Sequence, residues 1–236
     1  MSLLQIIQDA TDLLGLPKPD QVIGNSDPTV QTLLAVANTE GEDLARRGPW
    51  QQLEVLAEFT TVDQQTLYNI ETVAPGWNAQ RNPTMWDNTQ QNLVNGPLTP
   101  AEMQTNKAYL PMNVYFEWRI AADKLEIYPP PSGGLEFTFE YITRYWCKSD
   151  GGTLQERWKE DTDVGQIPEF LMRLGIEWRY NQRVGLDSKW PEQKRIYDSM
   201  VVSEINSGVQ GRPLDLAGRD LWRQRRVPWG SWPEYM

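Results

Sequence analysis

The hydrophobic pattern of this 236-residue chain changes period twice. Apolar residues recur at helical spacing as far as about residue 49, at strand spacing from Trp50 to Trp146, and at helical spacing again from Pro168. A helix buries a stripe and a strand buries a face, so such a chain must combine two kinds of layer. Leu3, Ile6, Ile7, Ala10, Leu13 and Leu14 predict a short amphipathic helix, with Ser2 placed to cap it and Gly15 to stop it before Pro17 and Pro19. Asp27-Pro28 reads as an N-cap followed by a first-turn proline. It opens a longer helix carrying Val30, Leu33, Leu34, Ala37, Leu44 and Ala45 and ending at Gly48-Pro49.

From Trp50 the residues are β-branched and aromatic with period-two alternation. Strands are predicted over Leu53 to Phe59, Leu67 to Val73, Val114 to Ala121, Lys124 to Tyr128 and Leu135 to Trp146. In the last of these Leu135, Phe137, Phe139 and Tyr141 share one face and Glu136, Thr138 and Glu140 the other, the signature of a half-buried antiparallel strand. Ala122-Asp123 predicts a tight turn, and Pro129 to Gly134 a longer loop. The stretch from about Pro75 to Pro111 contains Pro83, Gly96-Pro97 and Pro100. It reads as a long irregular excursion with a helical turn or two between Thr99 and Lys107. Helical spacing returns with Phe170, Leu171, Leu174 and Trp178 after Pro168, stopping near Gly185. Ser188 is placed to cap a last helix carrying Ile196, Met200, Val201 and Ile205 up to Gly208.

Neither helical end has enough apolar face for a core of its own, so the two are expected to share one. The predicted class is α+β: a discontinuous α-helical bundle (1–49 and 151–207), an inserted antiparallel β domain with a long irregular loop (50–150), and an extended C-terminal arm (208–236).

Composition narrows the function. The chain has no His and a single Cys, Cys147. That removes Ser-His-Asp and Cys-His nucleophilic sites, HExxH zinc proteases, His-metal centres and Cys-rich zinc sites. Gly133-Gly134 and Gly151-Gly152 lack the spacing of a phosphate loop. Glu156/Glu160 and Asp161/Asp163 are the remaining carboxylate pairs for glycosidase or calcium chemistry, with solvated surface carboxylates the plainer reading. Trp77, Trp86 and Trp118 are expected as core or loop-anchoring rings rather than a sugar-stacking platform. No cofactor or metal is implied. Met1 to Leu14 lacks the basic start of a leader, no run approaches the ~20 apolar residues of a membrane span, and a soluble protein is expected.

Charge is unevenly placed. With 22 Lys and Arg against 32 Asp and Glu the net charge is −10, yet Ser207 to Met236 carries +2, leaving −12 on the remainder. This tail interleaves Arg212, Arg219, Arg223, Arg225 and Arg226 with Trp222, Trp229 and Trp232. Exposed indoles in that number call for a cover, either a partner protein or the body of the same chain, and the pairing of Arg with Trp favours a partner.

Ala74-Pro75-Gly76-Trp77, Pro83-Thr84-Met85-Trp86-Asp87, Asn95-Gly96-Pro97-Leu98-Thr99-Pro100-Ala101-Glu102-Met103, Leu125-Glu126-Ile127-Tyr128-Pro129-Pro130-Pro131 and Phe139-Glu140-Tyr141-Ile142-Thr143 together resemble the head-to-tail connectors, or adaptors, of short-tailed bacteriophages. The likeness covers Leu3 to Asn206 in architecture. Its sharpest element is Trp-Asp followed by Gly-Pro-Leu-Thr-Pro, and the chain has Met103 where the pattern has tryptophan. The resemblance implies a non-enzymatic virion protein at the head-tail junction, assembled in the host cytoplasm. It implies a twelve-fold homo-oligomeric ring beneath the portal, a β domain directed toward the tail nozzle, and non-specific passage of DNA through the lumen. The arm, with Arg212, Arg219, Trp222, Arg223, Arg225, Arg226, Trp229 and Trp232, would bind the portal protein. An acidic body suits a channel for DNA, since carboxylates repel phosphates. A virion-borne cell-wall glycosidase and a carbohydrate-binding module are the rival classes.

Overall fold

The computed structural model describes residues 1–80, 83–109, 115–186 and 188–208. Helix α1 (Leu3–Leu14) begins with a capping box: the Ser2 hydroxyl accepts from the Gln5 N–H while the Gln5 side chain accepts from the Ser2 N–H. It ends at Gly15 in the left-handed region (φ 69°), where glycine carries no Cβ penalty. Helix α2 (Pro28–Arg47) starts where Asp27 accepts from the Thr29 N–H at 2.7 Å. A 3-10 turn at Gln51–Leu53 then leads into strand β1 (Glu54–Thr60). There follow β2 (Leu67–Asn69), a single helical turn α3 (Ile70–Val73), β3 (Trp77–Ala79), β4 (Met85–Asp87), β5 (Asn92–Val94) and helix α4 (Pro100–Tyr109). Strands β6 (Glu117–Ala121), β7 (Lys124–Tyr128) and β8 (Glu136–Thr143) complete the main sheets, and β9 (Cys147–Lys148), β10 (Leu154–Gln155) and β11 (Val164–Gly165) form a small separate one. Helices α5 (Glu169–Val184) and α6 (Trp190–Gly208) close the described chain. The fold is α+β.

Two antiparallel sheets pack face to face. The larger has the order β1-β8-β4-β5, with β3 also on β8, and the smaller the order β2-β7-β6. Their facing residues alternate as a half-buried sheet requires. Ala57, Met85, Val94, Phe137, Phe139 and Tyr141 from one meet Tyr68, Trp118, Leu125 and Ile127 from the other in one apolar cluster. Aromatic contacts stitch the layers, with Phe59 to Tyr68 at 5.3 Å and Phe116 to Phe137 at 5.5 Å between ring centroids. Helix α4 lies against the opposite face of the smaller sheet, where Asn106 donates to both Glu117 carboxylate oxygens at 2.8 Å and Lys107 pairs with Glu126.

The helical core draws on both ends of the chain. Leu3, Ile6, Ile7, Leu33, Val36, Leu44 and Leu53 are buried with Ile167, Leu171, Met172, Ile176, Tyr197 and Val201, and α5 packs on α1, α2 and α6. Ile142 belongs to this core, whereas Phe137, Phe139 and Tyr141, on the same strand β8, belong to the other. One strand therefore reaches into both.

Several sequence expectations are corrected. The strand predicted over Leu67 to Val73 stops at Asn69, whose side chain accepts from the Glu71 N–H at 3.0 Å and starts α3. A local Asx cap here displaces the ladder. The excursion read as irregular supplies β3, β4 and β5, strands of three residues that are too short to show a period, and its helix runs the full Pro100–Tyr109 behind a Thr99/Glu102 capping box. Strand β8 ends at Thr143 rather than Trp146. Ser188 is not the cap of α6, which begins at Trp190 with Pro191 in its first turn, a position where the missing N–H costs nothing. Trp86, expected buried or as an anchor, is 43% exposed.

Candidate functional site

The residues assigned to partner binding, Arg212, Arg219, Trp222, Arg223, Arg225, Arg226, Trp229 and Trp232, lie outside the described residues. Their point of departure is defined. Ile205, near the end of α6, packs on Gly48, where an added Cβ would come within 2.7 Å of the Ile205 Cδ1. The C-terminal end of α6 thus lies beside the junction between α2 and β1.

Three of the four carboxylates, Glu156, Asp161 and Asp163, are engaged in structure, and Glu160 is exposed. Asp161 accepts from the backbone N–H groups of Val22 and Ile23 at 3.0 and 2.7 Å, tying the α1–α2 connection to the β10–β11 connection. Asp163 is fully buried and accepts from the N–H groups of Lys159 and Glu160 through one oxygen. Glu156 pairs with Arg144, which also reaches Glu71 at 3.0 Å. No three His, Cys, Asp or Glu side chains among the described residues gather as a metal-ligand group. Cys147 is buried, its Sγ 3.3 Å from the Gln155 carbonyl, and burial with Asp163 nearby pushes its thiol up to about 12.

A second polar cluster, invisible to periodicity, joins α2, α5 and α6. Glu40 is fully buried and receives hydrogen bonds from Arg179 and from the Tyr197 hydroxyl. Arg179 also donates to Asp43 at 2.6 Å, and Arg47 joins Asp43 to Asp198, which Lys194 holds at 2.6 Å. Burial pushes the Glu40 carboxyl above its ordinary range despite the opposing pull of Tyr197 and Arg179. The same burial, with Glu40 beside it, pushes the Tyr197 hydroxyl up. Only Gly175 permits this approach, because a Cβ there would lie 2.2 Å from the Glu40 carboxylate. Glu40 and Tyr197 are sealed between the helices while Asp43, Lys194 and Asp198 stay partly exposed at the edge, so the cluster works as a clamp.

Clefts are small. One between α1 and α5, lined by Ile6, Asp9, Phe170 and Arg173 among others, holds about 150 Å³, and one beside β4 and β5 about 10 Å³. Sites for drug-sized ligands run to roughly 300–1,000 Å³.

What the larger sheet leaves open is its outer face. Directly paired residues of a sheet share a face. The row Glu58, Thr138, Trp86, Leu93 therefore crosses β1, β8, β4 and β5 in register on the side away from the core, with Leu56 opposite Glu140 in the next row and Thr60 opposite Glu136 beyond. Leu56 is 55% exposed, Trp86 43% and Leu93 42%, and Glu58, Glu136 and Glu140 are exposed as well. The β8 part of this face was legible as the polar side of an alternating strand. Trp86 and Leu93 were not, since each sits in a three-residue strand.

No family model matches the chain, and no curated protein is detectably similar to it. No helix among the described residues is long and apolar enough to cross a membrane.

Proposed function

We propose that this chain is a structural virion subunit, the adaptor of a short-tailed bacteriophage. In this reading it forms a twelve-fold ring at the head-tail junction, docks its arm (208–236) on the portal, turns its β part toward the tail nozzle and lines the passage for DNA. The observation that carries the reading is the segregation of charge and aromatics: −12 on the body against +2 on a tail with five Arg and three Trp. Arginine and tryptophan are the side chains that anchor protein interfaces, through bidentate ion pairs and buried rings. The structural engagement of Glu156, Asp161 and Asp163 supports a binding role over hydrolysis. Heterologous contacts between copies would close the ring.

The test is negative-stain imaging of the purified protein alone and mixed with its cognate portal. The expected result is separate subunits alone and a ring on the portal, and a variant lacking Gly211 to Met236 that stays folded yet fails to bind. A stable dodecamer without portal contradicts template-dependent assembly. Undiminished portal binding by the folded truncation contradicts the role of the arm.

A further inference from the structure

The outer face of the larger sheet is the one broad β surface whose covering can be argued from the chain itself. Its apolar members, Leu56, Trp86 and Leu93, are each more than two-fifths exposed, and they alternate with Glu58, Glu136 and Glu140, whose carboxylates make no ion pair or hydrogen bond among the described residues. The outer face of the smaller sheet, by contrast, is met by α4 through Glu117 and Glu126.

We propose that in the free subunit this face is covered by the chain's own residues 209–236. The match is chemical. The face offers an acidic and apolar mixture, and the segment supplies five Arg and three Trp with net positive charge. Arginine pairs with carboxylates bidentately and stacks on an indole such as Trp86, while tryptophan fills apolar ground between charges. The match is also one of reach. The chain leaves α6 where Ile205 touches Gly48, six residues before β1 begins at Glu54. Twenty-eight residues extend up to roughly 90 Å, and the face is only about 23 Å along β1 and about 14 Å across four strands. An intrachain partner this close acts at an effective concentration in about the millimolar range, so modest contacts suffice. The tail is thereby kept from the unpaired exposure that would make its indoles an aggregation hazard.

The test uses the full chain without portal, so its outcome is independent of whether the arm docks on a portal. Benzoylphenylalanine is placed at Leu56 and photolysed, and the crosslinked peptides are mapped. The expected result is a crosslink from position 56 into residues 209–236 within a species of monomer mass. A crosslink joining two chains assigns the face to a second copy and overturns the proposal. So does a monomer crosslinked only elsewhere. In parallel, trypsin cleavage after the tail arginines is timed for the original chain and for Glu58→Gln/Glu136→Gln/Glu140→Gln, with folding checked by circular dichroism. Cleavage is expected about tenfold faster in the variant, and faster in the original chain at high salt, where charge pairs are screened. Equal rates overturn the proposal. If the variant does not fold, the crosslink and the salt series decide the matter.

Discussion

Gly175 is a residue at which two physical effects oppose each other. Replacing a mid-helix glycine by alanine ordinarily stabilises a helix by about 1 kcal/mol. Here the new Cβ would sit 2.2 Å from the Glu40 carboxylate, forcing apart an ion pair whose carboxylate is fully buried. We expect Gly175→Ala to destabilise by about 2–4 kcal/mol, lowering the melting temperature measured by circular dichroism. An unchanged or raised midpoint would show that the clamp yields without cost. Cys147 gives a chemical readout of burial. At pH 8 about one thiol in ten is ionised at an ordinary value of 9.0, against roughly one in ten thousand at about 12. Iodoacetamide should therefore label Cys147 about a thousandfold more slowly in the folded chain than in urea. Rapid labelling of the native protein would place the thiol in a more open setting.

Lys107 of α4 pairs with Glu126 on the smaller sheet, and Arg119 pairs with the same carboxylate across the β6–β7 ladder. Burial raises the Glu126 carboxyl, but the two cations outweigh it and leave it below the ordinary range. Such a group adds stability above its unfolded pKa and loses it as pH falls through the lowered value. Glu126→Gln should thus cost about 1–3 kcal/mol near neutral pH, the two cations keeping some access to water. The difference from the original chain should shrink below about pH 4.5, the carboxyl's ordinary value. Urea titrations at pH 7 and pH 4 check the sign, and hydrogen exchange over 100–109 checks the location. Elements with strong local punctuation were the legible ones. Ser2 and Gly15 bound α1, Asp27-Pro28 opens α2, and alternating Leu135 to Tyr141 fixes which face of β8 is buried. The three-residue strands of the excursion were illegible because period needs length, and β3 and β4 find their partner in β8, about fifty to sixty-five residues downstream, while β5 pairs with β4. The Glu40 clamp escaped for a related reason: Glu40 and Tyr197 are 157 positions apart, and nothing local marks a buried glutamate.

At the scale of the whole molecule, β8 links the two cores. Phe139 lies within the sheet core three residues before Ile142 enters the helical one. Phe139→Ala should cost about 3–5 kcal/mol and lower protection from hydrogen exchange in α5 as well as in β4. Sheet amides that open while α5 stays protected would mean the two cores are thermodynamically separate. The chain's reading as one discontinuous helical unit around a β block has a counterpart in time. Leu3 to Leu53 find their partners only when residues 167–201 exist, while the strand block can pair once β8 has been made. At about 5–20 residues per second, the first two helices would wait roughly ten to thirty seconds on the ribosome with their apolar stripes uncovered. Nascent chains halted after about residue 180, with β8 clear of the exit tunnel, should therefore hold a protease-resistant sheet and still recruit a hydrophobic-binding chaperone to α1 and α2.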